Sequence, residues 1–222
     1  MIVSFKKQLM KTYFILLVLF LIISCRKENS SPSNSFSNYF PNSVGDNWEY
    51  EVTDSAQYIQ GGNDTVQHYS VKVLIVGTKK LADGKDATIW KYSYPFGIDT
   101  NYVRIVGDTV KIFDNSYNSH TVEGLKYPTL ILVQPFNVGE GWDGKHAWSD
   151  TLSVVKQEDV TTSFQTFKDC FEIYRHYIGP NMETKDNYWF KPQVGMVRIY
   201  TNHYNLGPLM YRTWQLKAYS VH

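Results

Sequence analysis

Two thiols, six imidazoles and a scatter of carboxylates are the groups in this 222-residue chain that could do chemistry. A thiol can attack, be acylated, bind metal or pair with a second thiol. Cys170 lies in Phe167-Lys168-Asp169-Cys170-Phe171-Glu172-Ile173. No helix N-terminus or adjacent cation is evident there to lower its pKa, so it reads as a small buried hydrophobe. His68, His120, His146, His176, His203 and His222 form no H-E-x-x-H or H-x-H pattern, and there is no C-x-x-C, so a zinc site has no support. A G-x-S-x-G elbow, a phosphate-cradling loop and an EF-hand are absent. Aspartate and glutamate fall singly at turns, whereas a glycosidase needs two facing carboxylates. These residues predict a protein that is not an enzyme and that uses neither cofactor nor metal.

Cys25 is the exception. Lys6, Lys7 and Lys11 precede an unbroken apolar run of 11 residues, Tyr13 to Ile23, and Ser24 separates it from Cys25. A membrane-spanning helix needs about 20 apolar residues, so the run is a signal-peptide core rather than a span. Met10-Lys11 is an alternative start to Met1. Ile22-Ile23-Ser24-Cys25 resembles a bacterial lipobox. The resemblance implies a cysteine that receives a diacylglyceryl group, with a further acyl chain such as palmitate, and becomes the first mature residue. Each buried CH₂ contributes about 0.8 kcal/mol, so two or three chains hold a protein to a membrane where one does not. The expected address is the bacterial cell envelope, lipid-anchored at the outer membrane, with lipid on Cys25 as the membrane contact. A lipidated Cys25 leaves Cys170 without a disulfide partner.

Removing residues 1–24 leaves 19 Lys+Arg against 21 Asp+Glu, a net charge of about −2. That balance argues against nucleic acid, which needs a basic face. Residues 26–38, Arg-Lys-Glu-Asn-Ser-Ser-Pro-Ser-Asn-Ser-Phe-Ser-Asn, cannot bury enough surface to offset their ordering entropy. The expected organisation is a signal peptide over 1–24, a lipidated cysteine and tether over 25–38, and a single domain over 39–222.

The domain reads as all-β. Tyr69, Val71, Val73 and Ile75 alternate with polar neighbours, as do Trp90, Tyr92 and Tyr94. Gly107-Asp108 suits a tight hairpin turn between strands at 102–106 and 109–113, and Asp83-Gly84 reads as another turn. Further strands are expected near 48–53, 129–134, 150–156, 161–167, 171–178, 186–190, 195–201 and 209–219. No segment keeps a helical period over ten residues. The pattern predicts about 10–12 antiparallel strands in a barrel or strongly curled sheet, with a two-sheet sandwich as the alternative.

One motif recurs. Val44-Gly45-Asp46-Asn47-Trp48 is echoed by Val138-Gly139-Glu140-Gly141-Trp142, each after a Phe/Pro pair, with Val194-Gly195-Met196-Val197 a fainter third. This predicts a structural duplication in which each tryptophan seals one end of the core. The order Phe40-Pro41, Val44-Gly45-Asp46-Asn47-Trp48-Glu49-Tyr50, Phe167-Lys168-Asp169-Cys170, and Tyr188-Trp189-Phe190 with Val194-Gly195-Met196-Val197 resembles a group of small Bacteroidetes-type envelope lipoproteins. The resemblance covers most of residues 39–200 and implies no activity. Asp-Ser/Thr-apolar triplets place Ser55, Thr65, Thr109 and Thr151 in a pattern that resembles the O-glycosylation acceptor of such exported proteins, which needs exposed loops.

Three functions follow as expectations. The first is a non-catalytic β domain that binds an unidentified protein, glycan or apolar ligand. The second is a carrier or chaperone for apolar cargo inside a hollow curled sheet. The third is a carbohydrate-binding accessory protein that uses Trp48, Trp142, Tyr188 and Trp189 as its platform.

Overall fold

A computed structural model describes residues 39–58, 62–144, 148–204 and 208–222, all within one compact unit, Ser35–His222. The expected signal peptide, Cys25 and the expected tether lie outside the described residues. Twelve strands form one antiparallel, nearly closed, barrel-shaped sheet. They are β1 (Asn47–Gln57), β2 (Thr65–Lys80), β3 (Asp86–Tyr94), β4 (Gly97–Val106), β5 (Thr109–Asp114), β6 (Leu130–Val133), β7 (Gly141–Asp143), β8 (Ser149–Thr161), β9 (Thr166–Ile178), β10 (Glu183–Lys191), β11 (Gly195–Tyr204) and β12 (Leu209–Ser220). A four-residue helix, α1 (Tyr117–His120), and a 3₁₀ turn, Gly124–Lys126, connect β5 to β6.

The strand order β6-β5-β4-β3-β2-β1-β12-β11-β10-β9-β8-β7 is two six-stranded meanders joined where the first strand pairs with the last. One continuous sheet replaces the sandwich alternative. The stretch 161–167, expected as a strand of its own, instead holds the end of β8, a turn over 162–165 and the start of β9. The Thr162 hydroxyl accepts the N–H groups of Phe164 and Gln165 and so bends the chain there.

The recurring motif is a recurring geometry. The Gly45 N–H donates to the Ile75 carbonyl at 2.9 Å, and the Ile75 N–H donates to the Asp46 carbonyl at 2.9 Å. In the second meander the Gly139 N–H donates to the Val154 carbonyl at 2.8 Å, and the Val154 N–H donates to the Glu140 carbonyl at 2.8 Å. Both long strands then bulge at the same place, between Ile75 and Gly77 and between Val154 and Lys156. Each bulge bends its strand and sharpens the local twist, which curls each half of the sheet. The two tryptophans sit at the start of β1 and of β7, hence at the same end of the barrel and not at opposite ends.

Successive side chains alternate between the faces of a strand, and the inward set fills that end with rings. Trp48 stacks on Trp90 at 4.9 Å, and Phe40 lies between Trp90 and Phe190 at 5.6 Å from each. Phe136 packs on Phe190 and Trp142, with Ile75, Leu132 and Val197 beneath. We call this the closed end. A smaller cluster of Leu81, Ala87, Tyr102 and Phe113 lies outside the barrel wall, covered by Leu125. Cys170 is fully buried in the main core. Burial raises its pKa to about 11, so the thiol is held protonated and inert.

Candidate binding site at the open end of the barrel

The strands fix which side chains meet at the other end. On β1, Asp54 and Ala56 continue the inward parity of Trp48, Tyr50 and Val52. On β12, Arg212 and Met210 continue that of Leu216 and Trp214. The register aligns Arg175, Asp186, Thr201, Arg212 and Asp54 across β9, β10, β11, β12 and β1, giving an inward row of alternating charge. Charges inside a barrel are costly unless paired, and most of these are paired. Arg175 Nε and Nη2 donate to the two carboxylate oxygens of Asp150 at 2.8 and 2.9 Å. Arg212 Nε and Nη2 donate to Asp54 Oδ2 at 3.0 and 2.6 Å. Burial works against the charge on Arg175. The bonds to Asp150, with Tyr188 and Asp186 close by, outweigh that burial and raise its pKa.

Asp186 is the incomplete member. It is 3 % exposed. Its Oδ2 accepts the Tyr188 hydroxyl at 3.0 Å and stands 3.9 Å from Arg175 Nη1. Its Oδ1 is buried without a hydrogen-bond partner, and His203 Nε2 stands 3.6 Å away on the side toward the opening. Burial and the negative charge of Asp186 together raise the pKa of Tyr188.

The opposite wall is lined by tyrosines. Tyr69, Tyr92 and Tyr94 point inward on β2 and β3 and are only partly buried, unlike their inward neighbours Val73 and Trp90. Inward-facing rings that keep some accessible surface mark this as the open end of the barrel. Phe96, in the β3–β4 turn, is 73 % exposed. It stacks on Tyr94 at 5.3 Å and meets Tyr69 edge-on at 5.5 Å. Tyr94 packs edge-on against Trp214 at 6.1 Å, and burial with the nearby Asp99 charge pushes its phenol up to about 12. By contrast, the groove of about 340 Å³ on the outer face, lined by Glu49, Lys72, Leu74 and Lys91, is bordered by solvent-exposed ion pairs, which are worth little. Among the described residues no group of three or more His, Cys, Asp or Glu could hold a metal ion.

The residues singled out from the sequence are placed as follows. Cys25 lies outside the described residues. Trp48 is 2 % exposed, stacked on Trp90, and its indole N–H donates to the Val194 carbonyl at 2.6 Å, so its ring presents no free face. Trp142 is half-buried at the seam between β6 and β7, and its N–H donates to the Ile131 carbonyl. Tyr188 and Trp189 are neighbours in sequence but face opposite ways. Tyr188 is buried against Asp186, whereas Trp189 lies outside, donating to Glu158 at 2.8 Å beneath the Arg198 guanidinium. The structure therefore does not bring Trp48, Trp142, Tyr188 and Trp189 together on one surface. Ser55, Thr65, Thr109 and Thr151 all lie in strands and not in loops. Thr65 and Thr151 are exposed, while Ser55 and Thr109 are half-buried.

The row of Asp54, Asp150, Arg175, Asp186, His203 and Arg212 was not singled out from the sequence. A signal for it exists. Asp54 shares parity with Trp48, Tyr50 and Val52, and Arg212 shares parity with Leu216 and Trp214. A charge on the apolar parity of a strand is out of place unless it is paired or functional.

Fold and site together define an all-β barrel closed by aromatic packing at one end and lined by tyrosines and charges at the other. No family model matches the sequence, and no curated protein matches it. Two solved structures are similar. One is a protein of Parabacteroides distasonis described as a lipoprotein, 17 % identical, with TM-score 0.40 over 82 % of this chain and 98 % of the other. The second is an exported protein of Bacteroides fragilis with a YmcC-like fold, 15 % identical, with TM-score 0.42 over the same shares of the two chains. Both organisms belong to the Bacteroidetes.

Proposed function

We propose that this is a lipid-anchored protein of the bacterial cell envelope, at the outer membrane, whose barrel binds a ligand at its open end without doing chemistry on it. The observation that carries this reading is the partly exposed rings of Tyr69 and Tyr94 beside the exposed Phe96, an aromatic cluster that reaches solvent at the end of an otherwise packed interior. Concave aromatic surfaces with a few placed polar groups are the usual form of a small-molecule site. The anchor reading is supported by the leader and by Cys25. The chain enters the domain at Tyr39, whose ring stacks on Phe190 at the closed end. The 13 residues between Cys25 and Tyr39 connect the anchor to that end of the barrel.

N-phenyl-1-naphthylamine, a neutral apolar dye that brightens out of water, tests the site. Saturable brightening with the purified protein is expected, weakened about tenfold by Phe96→Ser, a loss of roughly 1.4 kcal/mol. Phe96 is exposed, so the change leaves the fold intact. A signal that does not saturate, or that is indifferent to Phe96, overturns the site. Growth with labelled fatty acid tests the anchor: label is expected on the native chain and absent from Cys25→Ala, and label that persists in the variant removes it.

A further inference from the structure

Charge at the open end is not balanced. Among the described residues, the inward strand positions toward the opening carry five carboxylates, Asp54, Asp99, Asp114, Asp150 and Asp186, against two guanidinium groups, Arg175 and Arg212. Each arginine is engaged by a carboxylate of its own, Arg175 by Asp150 and Arg212 by Asp54. That leaves Asp186, Asp99 and Asp114 without a cation in hydrogen-bond contact, Arg175 Nη1 standing 3.9 Å and His203 Nε2 3.6 Å from Asp186. Asp114 is satisfied locally by the Ser116 N–H and hydroxyl, and Asp99 stands exposed at the start of β4. Asp186 is buried with one oxygen unpartnered, aimed past His203 toward the opening.

A protein interior screens charge poorly, so an incompletely paired carboxylate projects a negative field toward the opening. Facing it are the rings of Tyr69, Tyr92, Tyr94 and Phe96, whose π faces also attract cations. Both features favour one kind of ligand head group and disfavour its opposite. The rim adds apolar surface at Met210, exposed at the start of β12 on the inward parity of Arg212.

We infer that the open end selects a ligand carrying a positively charged ammonium group on an apolar body, and that Asp186, with Asp99 at the rim, sets this preference. The inference rests on the open end being the binding site and adds the charge of the ligand. A neutral apolar cargo would use the rings and ignore the carboxylates. An anionic amphiphile would be repelled by them.

The test displaces bound N-phenyl-1-naphthylamine with three probes of equal chain length, dodecyltrimethylammonium, laurate and dodecyl maltoside, each kept below its micellar concentration. The ammonium probe is expected to displace the dye at about tenfold lower concentration than laurate, with the neutral maltoside between them. Added salt should narrow the gap, since it screens the charges in the opening. Asp186→Asn and Asp99→Asn should each reduce the preference several-fold while dye binding persists. Asp99 is exposed, so its variant remains informative where the buried one folds poorly. Equal displacement by all three probes, or better displacement by laurate, overturns the inference and leaves the binding site standing. Failure of the dye to bind at all removes the site itself.

Discussion

The indole Nε1 of Trp142 donates to the main-chain carbonyl of Ile131 at 2.9 Å, and this bond joins the two edges of the sheet. Trp142 is on β7 and Ile131 is on β6, the outermost strands in the pairing order. Unpaired edges template association with other chains. Here both edge strands are short, of three and four residues, and a side chain spans what the backbone leaves open. Phe136, midway along the connection between them, stacks on the same indole at 6.2 Å.

The first prediction concerns that seam. Trp142→Phe keeps a ring against Phe136 but removes the donor, leaving the Ile131 carbonyl without it. Loss of one such hydrogen bond costs about 1 kcal/mol, and a urea unfolding midpoint should fall accordingly with unchanged slope. Hydrogen exchange should quicken at β6 and β7 first and not at β1 and β12. Protection that drops evenly over the sheet would mean the indole is packing rather than closing the barrel.

The repeated turn makes a paired prediction. Gly45 and Gly139 hold φ of +101° and +91° in equivalent turns, a region that costs a side chain roughly 1–2 kcal/mol. Around Gly139 a Cβ would meet nothing within 4 Å, and at Gly45 only the His222 ring, at 3.7 Å. Gly45→Ala and Gly139→Ala should therefore destabilise by similar amounts, through backbone strain alone. Unequal losses in thermal unfolding would show that the two turns differ in a way their hydrogen bonds do not reveal.

Cys170 provides a third check. Its Sγ is buried, and burial raises its pKa to about 11, so at neutral pH almost no thiolate exists to react. Ellman's reagent should find no accessible thiol in the folded, lipidated protein, because Cys25 would be capped. In guanidinium chloride it should find one per chain. A reactive thiol in the folded state would point to an unmodified Cys25, and Cys25→Ala would confirm the source.

Much of the barrel was legible because one face of nearly every strand is apolar. Val71-Val73-Ile75 and Trp90-Tyr92-Tyr94 announce their parity, and Gly107-Asp108 announces its turn. What misled was local chemistry. Thr162 looks like a strand residue but its hydroxyl ties a turn, and Tyr188-Trp189-Phe190 looks like one aromatic surface but a strand splits it across both faces. β7 is only three residues long and shows no periodicity of its own. The charged row stayed hidden for a different reason. Asp54, Arg212, Asp186 and Arg175 are far apart in the chain, and only the β1–β12 pairing and the β9–β10 hairpin bring them onto one level.

Acid should weaken the protein through Asp83. Arg104 donates to both of its carboxylate oxygens, at 2.7 and 2.9 Å, and these bonds hold the Asp83 pKa below the usual carboxylate range. A carboxylate whose pKa is depressed on folding adds stability that is fully present above its unfolded value, near 3.9. That stability is lost as pH falls through the folded value. Asp83→Asn should cost up to about 1 kcal/mol at neutral pH, since the pair is only partly shielded from solvent. The cost should vanish at the acid limit, where the native side chain is also neutral. A penalty that does not change with pH would assign the effect to the loop and not to the charge.

The buried pair should respond more strongly than its half-exposed counterpart on the same level of the barrel. Arg175→Met leaves Asp150 and Asp186 facing an apolar chain inside the wall, and breaking a buried pair this way costs about 3–5 kcal/mol. Arg212→Met leaves Asp54 where water still reaches it, so the loss there should be closer to about 1 kcal/mol. Arg175→Lys restores the charge but cannot reproduce the two-pronged bond to Asp150, so it should recover only part of the stability. Unfolding in urea at neutral pH distinguishes these outcomes. Similar costs at Arg175 and Arg212 would mean that water enters the β8–β10 wall as freely as it enters the tyrosine side, and that Asp186 is not held dry.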